Sequence, residues 1–247
     1  MCYHKAQTKN FEELAAHYAA TYSKDEVTDT YQPRYHENGF DFLPTPMVTA
    51  GKPNELRMFN WGMIPFWVKD LPSGLRLRTQ TLNCISEEMF DKSSFRDAAK
   101  AGQRCLIPCT GFYEWRWMDE KGKSKIPYHI KLKEQELFSL AGLYSRWKDR
   151  ATDQSFYTYT VLTTKANELM STIHNSKKRM PVIIPRQYER DWLNQNLTQE
   201  DVLAFCQPVD DAIMGAYPIS KLITTKGADT NVPDVMKVAE YEQLNSK

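Results

Sequence analysis

The sequence predicts an α+β fold, a single domain over 1–247 with a mostly antiparallel, barrel-like β core and flanking short helices. Three observations predict it. The apolar or alternating runs Pro127 to Lys133, Leu137 to Trp147 and Phe156 to Thr163 follow one another with short polar connections, the pattern of adjacent antiparallel strands. The helical segments are all short. Strands do not alternate regularly with long helices, which argues against a doubly wound parallel sheet.

The elements follow in chain order. Phe11 to Tyr22 carries Phe11, Leu14, Ala15 and Tyr18 at helical spacing, with Asn10 as N-cap. Tyr31 to Pro53 holds four prolines and reads as irregular chain with short extended pieces. Leu56 to Trp61 is a strand, and Gly62 to Asn83, with Pro65, Pro72 and Gly74, is again irregular. Phe95 to Ala101 is a short helix and Arg104 to Cys109 a short apolar strand that runs into a glycine turn. The polar insert Asp119 to Lys125 is a turn between two of the strands that follow. Asn167 to Ile173 is a helix and Met180 to Ile184 a strand. Gln187 to Leu193 and Gln199 to Phe205 are helices, the second opened by a capping pattern at Thr198. Ala216 to Ile223 is the last strand.

Composition narrows the function classes. With 32 basic and 31 acidic residues the net charge is +1, so a nucleic-acid partner would have to be held by a local basic groove rather than by global charge. No apolar run is long enough to span a bilayer, and the MCYHKAQTKNFEEL start has no apolar core of a signal peptide. Five cysteines, an odd count without an export signal, point to reduced thiols in a cytoplasmic protein. Cys105 and Cys109 are not followed by a second Cys/His pair at ligand spacing, so neither a metal site nor a cofactor is expected. The chain is expected to be a monomer.

Four segments carry candidate chemistry. Cys2 follows the initiator Met1, and removal of Met1 would leave an α-amine and a thiol on adjacent carbons. Their reference pKa values, roughly 7.7–8.0 and about 8.5, keep a usable fraction of each deprotonated near neutral pH. Such an aminothiol can attack an acyl group, as in N-terminal nucleophile hydrolases, or condense with an aldehyde and close a thiazolidine ring. Glu114 lies between Tyr113 and Trp115, where desolvation would raise its pKa and suit it to general acid work, unless it is an exposed strand residue between core aromatics. His174, ahead of Lys177, Lys178 and Arg179, would set a proton-transfer group beside a phosphate-binding loop, against the plainer reading of a helix cap and a solvated loop. Trp61 to Trp67 is a Gly- and Pro-shaped loop with two indoles, either a core corner or a stacking platform for bases.

In this order the four segments resemble the SRAP family, the SOS response-associated peptidases, also called abasic-site processing proteins. Met1-Cys2 matches its N-terminal cysteine. Trp61 to Trp67 resembles its W-G-hydrophobic-I-P-x-W loop, Cys105 to Trp115 its C-L-I-P-x-x-G-F-Y-E-W block, and Ile173 to Pro181 its I-H…R-M-P segment. The spacing from His174 to Arg179 is longer than in the shortest family version.

The resemblance implies binding of single-stranded DNA at abasic sites. The ring-opened sugar exposes an aldehyde, with which the N-terminal cysteine forms a thiazolidine. The product is a DNA–protein crosslink that shields the lesion. Ring closure also removes the imine that would drive β-elimination. The family is further described as autoproteolytic at its own N-terminus. Carried over position by position, Cys2 is the nucleophile, Glu114 the acid that assists sugar ring opening, and His174 the histidine of the imine stage and its reversal. Asn83 orients the cysteine, and Trp67 and Trp115 press against bases beside the lesion. His4 and Ile85 stand where the family's M-C-G-R and N-A-R patterns place arginines, so Arg76, Arg78, Lys177, Lys178 and Arg179 are the candidates for phosphate contact. Two other classes remain: a cysteine-type peptidase using Cys2, His174 and Glu114, and a non-catalytic single-stranded DNA-binding module.

Overall fold

The computed structural model describes residues 2–22 and 31–245. Its strands are β1 (His4–Gln7), β2 (Arg34–Asn38), β3 (Pro44–Thr49), β4 (Lys52–Trp61), β5 (Asn83–Ile85), β6 (Arg104–Cys109), β7 (Gly111–Trp117), β8 (Lys125–Leu132), β9 (Phe138–Lys148), β10 (Ser155–Lys165), β11 (Arg179–Pro181), β12 (Ile183–Ile184) and β13 (Met214–Pro218). Strands β4, β3, β6, β9 and β10 pair in that order, and β10 returns to β4, so the five close into a barrel. Closure comes from one parallel contact, Thr158 with Asn60 and Tyr159 with Trp61. β5 also lies parallel to β10. Among the described residues the other pairs of these strands are antiparallel, which bears out the α+β, barrel-like expectation.

A second sheet, ordered β13-β8-β7-β1-β2, packs on the barrel. Phe112, Ile130 and Leu132 share one buried cluster with Ile107, Leu140 and Val161 of the barrel. The other face of the sheet, with Ala6 and Tyr113, is covered by the chain after β13 through Ile219, Ile223 and Val235. Both faces of the sheet are therefore buried, and β1 runs through its interior between β2 and β7.

Several boundaries differ from the sequence expectation, each for a local reason. The Phe11–Tyr18 helix stops four residues early because Ala19 turns into the left-handed region at φ 49° and closes the end with its own N–H. The stretch expected to be irregular around Pro44 and Pro46 forms β3. β6 pairs only with Val48 and Thr49, so the proline half keeps one open side, where missing donors are tolerated. The stretch expected to be irregular after Gly62 contains the helix Leu71–Arg78, with Asp70 accepting from Ser73 N and Pro72 in the first turn. Met180 to Ile184 divides into β11 and β12. Val182 sits between them, donating to Leu162 O and accepting from Ala141 N, so the chain changes partner from β10 to β9. Gln187 to Leu193 is a 3-10 turn, Arg186–Tyr188, followed by the helix Glu189–Trp192. The last strand ends at Pro218, and Lys221–Thr224 is a 3-10 turn capped by Ser220.

Gly111 is the first residue of β7 rather than a turn. A Cβ there would lie 2.1 Å from His129 Nε2, and the His129 ring is itself wedged against Tyr113 and Tyr217. Gly111→Ala is therefore expected to destabilise by about 1–3 kcal/mol through overpacking, read from the urea midpoint. A midpoint equal to wild type would show that the imidazole moves aside freely.

Candidate active site at the N-terminal strand

Cys2 lies just before β1, and β1 is held on both sides, by β2 at His4, Lys5 and Gln7 and by β7 at Lys5 and Ala6. The N-terminal segment is thus anchored in the middle of a sheet. The Cys2 side chain is fully buried in the cluster that includes Leu82, Cys109 and Phe112, and its Sγ donates to His4 O at 3.8 Å. Burial, reinforced by the charge of Glu114, pushes the thiol well above its ordinary value. Buried in this way, the thiol needs a proton acceptor before it can act as a nucleophile.

Glu114 is in the middle of β7, paired with Tyr128 of β8, and is 4% exposed. The reading of an exposed strand glutamate is therefore overturned. Burial raises its pKa to about 8, so it is largely protonated at neutral pH. His174 follows the Glu168–Ile173 helix, and its Nε2 is 3.7 Å from Glu114 Oε2. The His174 Nδ1 lies 2.8 Å from Arg179 O. A carbonyl only accepts, so Nδ1 carries the hydrogen and the Nε2 lone pair is turned towards Glu114. Burial lowers His174 to about 4. The pair has the spacing of an ion pair, but with the carboxyl raised and the imidazole lowered both members are neutral at pH 7. It is an acid facing a base, separated by slightly more than a hydrogen bond, a spacing that catalytic groups tighten when substrate arrives.

Asn83 opens β5, opposite Val161, and its side chain is buried. Neither its Oδ1 nor its Nδ2 has a hydrogen-bond partner among the described residues. A buried amide without partners is a costly feature that calls for a polar guest.

The residues considered for DNA contact differ in exposure and in partners. Trp67 is 45% exposed and donates Nε1–H to Ser93 O, and Phe66 beside it is 64% exposed. Arg76, Lys177 and Lys178 are also exposed. Trp115 is half-buried with its ring 4.8 Å from that of His4. Arg179 makes a two-pronged contact with Glu87, both bonds at 2.8 Å, and this holds the Glu87 carboxyl down at about 2. Arg78 needs correcting. It is buried, donates to Trp61 O at 2.7 Å and Gly62 O at 3.3 Å, and stacks on Phe42 at 4.3 Å. It braces the Trp61–Gly62 corner, where Gly62 has φ +90°, and its donors are taken up by backbone carbonyls.

Sequence reasoning missed His36. His4 Nδ1 and His36 Nε2 are 2.8 Å apart, and His36 Nδ1 reaches Thr230 Oγ1 at 2.8 Å. Burial lowers the two imidazoles to about 3 and about 4, so the position where the resemblance expects an arginine holds a neutral pair. No local pattern in the sequence links His4, His36 and Thr230. Phe66 and Glu87 were missed as well, although Phe66, next to Trp67, was legible as an aromatic on a Gly/Pro loop.

Among the described residues no helix is long and apolar enough to cross a membrane.

Comparison with known proteins places this geometry. The family model described as SOS response associated peptidase (SRAP) matches residues 1–226. The chain is 38% identical over 208 residues to "Abasic site processing protein YoqW" of Bacillus subtilis, covering 84% of this chain and 87% of that one. It is 26% identical over 239 residues to "Abasic site processing protein HMCES" of Xenopus tropicalis, covering 86% and 68%. A crystal structure of a protein from Bacteroides thetaiotaomicron superposes with a TM-score of 0.88 at 34% identity, covering 97% of this chain and 100% of that one. With the family model matched over nearly the whole chain and the fold shared with that relative, the chain belongs to the SOS response associated peptidase (SRAP) family.

Proposed function

We propose that this protein processes abasic sites in single-stranded DNA by covalent capture through Cys2 once Met1 is gone, using Glu114 and His174 as the proton-transfer pair. The observation that carries the reading is the neutral acid–base pair, Glu114 and His174 at 3.7 Å, whose Glu114 member lies within electrostatic reach of the buried Cys2 thiol. The relatives named abasic site processing proteins support the substrate class.

The chemistry follows from the protonation states. Protonated Glu114 donates to the ring oxygen as its bond to C1 breaks, and the C1 hydroxyl gives its proton to neutral His174 as it becomes the aldehyde. The Cys2 α-amine adds to the aldehyde carbon, its proton is taken up within the pair, and the carbinolamine loses water to leave an imine. The thiol then adds across the C=N bond, its proton ending on nitrogen and its sulfur on carbon. One water leaves, and no oxidant or reductant is consumed. Neutral His174 is the acceptor that a buried thiol requires. Asn83 orients the cysteine with its amide. Trp67 and Trp115 stack on bases beside the lesion, and Arg76, Lys177 and Lys178 meet phosphates, so noncovalent binding weakens with salt.

Incubation with an abasic oligonucleotide, followed by a denaturing gel, is expected to show a shifted band with wild type and none with Cys2→Ala. Wild type whose intact mass confirms loss of Met1, yet which forms no band, would sink the reading. The family's description favours one second activity, a cysteine-type autopeptidase that releases Met1. It is tested by whether a precursor carrying Met1 loses it on incubation as wild type and keeps it as Glu114→Gln.

A further inference from the structure

His174 lies outside regular structure. It ends the Glu168–Ile173 helix and starts a loop that rejoins β11 at Arg179. Within that loop Lys178 N donates to His174 O at 2.8 Å, with Lys178 in the left-handed region at φ +51°. This turn fixes the loop's internal shape, and Ala166 N, bonded to Lys178 O at 3.0 Å, fixes it to the end of β10. Neither contact registers the loop against β7, the strand that carries Glu114.

Asn175 does. Its Oδ1 accepts from Trp117 N at 3.0 Å and its Nδ2 donates to Trp117 O at 2.9 Å. Trp117 is the last residue of β7, three beyond Glu114. On the other side Trp117 pairs with Lys125 of β8. On the Asn175 side, β1 pairs with β7 only at Phe112 and Gly111. The Asn175 amide therefore supplies the donor and acceptor of a neighbouring strand at the point where β1 no longer flanks β7. His174 and Asn175 together touch β7 at two points, residues 114 and 117.

We propose that Asn175 is a positioning residue that clamps the 174–179 loop to the end of β7 and so holds His174 at working distance from Glu114. The proposal rests on the covalent-capture reading for its effect on rate, and on geometry alone for its effect on His174. The 3.7 Å separation already exceeds a proton-transfer contact, so the pair has no slack for a further ångström of drift.

The test compares full-length wild type with Asn175→Ala, each with its Met-free N-terminus confirmed by mass. Three readouts are needed: NMR titration of the His174 imidazole without DNA, single-turnover crosslinking to an abasic oligonucleotide, and affinity for an oligonucleotide carrying tetrahydrofuran, which has the lesion's shape but no aldehyde. In Asn175→Ala the His174 midpoint is expected to rise from about 4 towards its ordinary value as the pocket opens to water. The crosslinking rate is expected to fall about tenfold, the change that one net hydrogen bond of positioning implies, with tetrahydrofuran affinity within about twofold of wild type. Unchanged titration and rate would overturn the proposal. So would equal losses of rate and affinity with a lowered urea midpoint, which mark general loosening. If wild type itself forms no crosslink, the functional reading falls and the titration alone decides the clamp.

Discussion

Glu114→Gln is expected to slow crosslink formation by about 10²–10⁴-fold, the usual scale of a general acid's contribution, and at the same time to stabilise the fold at neutral pH. Both effects come from one fact, the burial that raises Glu114 to about 8. The native state favours the protonated carboxyl, whereas the unfolded chain ionises it near 4.5. A group raised in this way contributes fully below its unfolded value, and the contribution is lost as pH rises through the folded one. Wild type therefore loses stability between about pH 4.5 and 8, and a glutamine, which never ionises, does not. The difference should reach a few kcal/mol at the upper end of that window. The acid-assisted rate of wild type should also decline above about pH 8, as Glu114 gives up its proton. Urea unfolding at pH 5 and pH 8, paired with single-turnover crosslinking, checks both. A variant as fast as wild type, or a stability gap that does not widen between the two pH values, refutes the assignment.

Lys5→Met is expected to cost about 1–3 kcal/mol, the penalty for leaving a buried acceptor, Glu37 Oε2, without its donor while Arg34 still balances the charge. Lys5 and Glu37 are both buried, and they face each other across β1 and β2 with Lys5 Nζ donating to Glu37 Oε2. Arg34 donates to Glu37 Oε1 at 2.9 Å and to Pro44 O at 2.9 Å. Burial alone would raise the Glu37 carboxyl, but the charges of Lys5 and Arg34 outweigh it and hold it below the usual range. The sign is opposite to that of Glu114: the cluster's contribution is present above about pH 4.5 and is lost as pH falls through the lowered native value. Combining Lys5→Met with Glu37→Gln leaves the buried Arg34 with a neutral acceptor and no counter-charge, so it should cost more than Lys5→Met alone rather than recover the loss. Chemical denaturation of the single and double variants measures this. A single variant within about 1 kcal/mol of wild type would show that Arg34 alone satisfies Glu37. The cluster matters to the site because β1 is the strand that holds Cys2 in place.

Legibility in the sequence followed the range of the interactions. The strands β6, β8, β9 and β10 and the Gln199–Phe205 helix were readable because alternation and the Thr198 capping box are local patterns. The Leu71–Arg78 helix reads as irregular chain because of Pro65, Pro72 and Gly74, although its Asp70 cap and its Pro72 in the first turn are local signals. β3 was not readable, because two prolines forbid a strand unless one side is open, and only the pairing with β6 at Val48 and Thr49 shows that it is. In the site, Cys2, Glu114, His174 and Asn83 could be named from motifs. The commitment of Arg78 to the Trp61–Gly62 corner could not, because an arginine's partners depend on what lies beside it in space.

By itself the sequence determined the α+β class, the order of most strands and helices, the family pattern, and which side chains could bear chemistry. The tertiary structure alone decided that the barrel closes through a parallel β10–β4 contact, that His4 is half of a neutral histidine pair, and that Glu114 and His174 meet as uncharged acid and base. The division has one physical cause. Backbone periodicity and caps are set by neighbours a few residues away, whereas protonation state is set by desolvation and by charges that only the folded chain brings near.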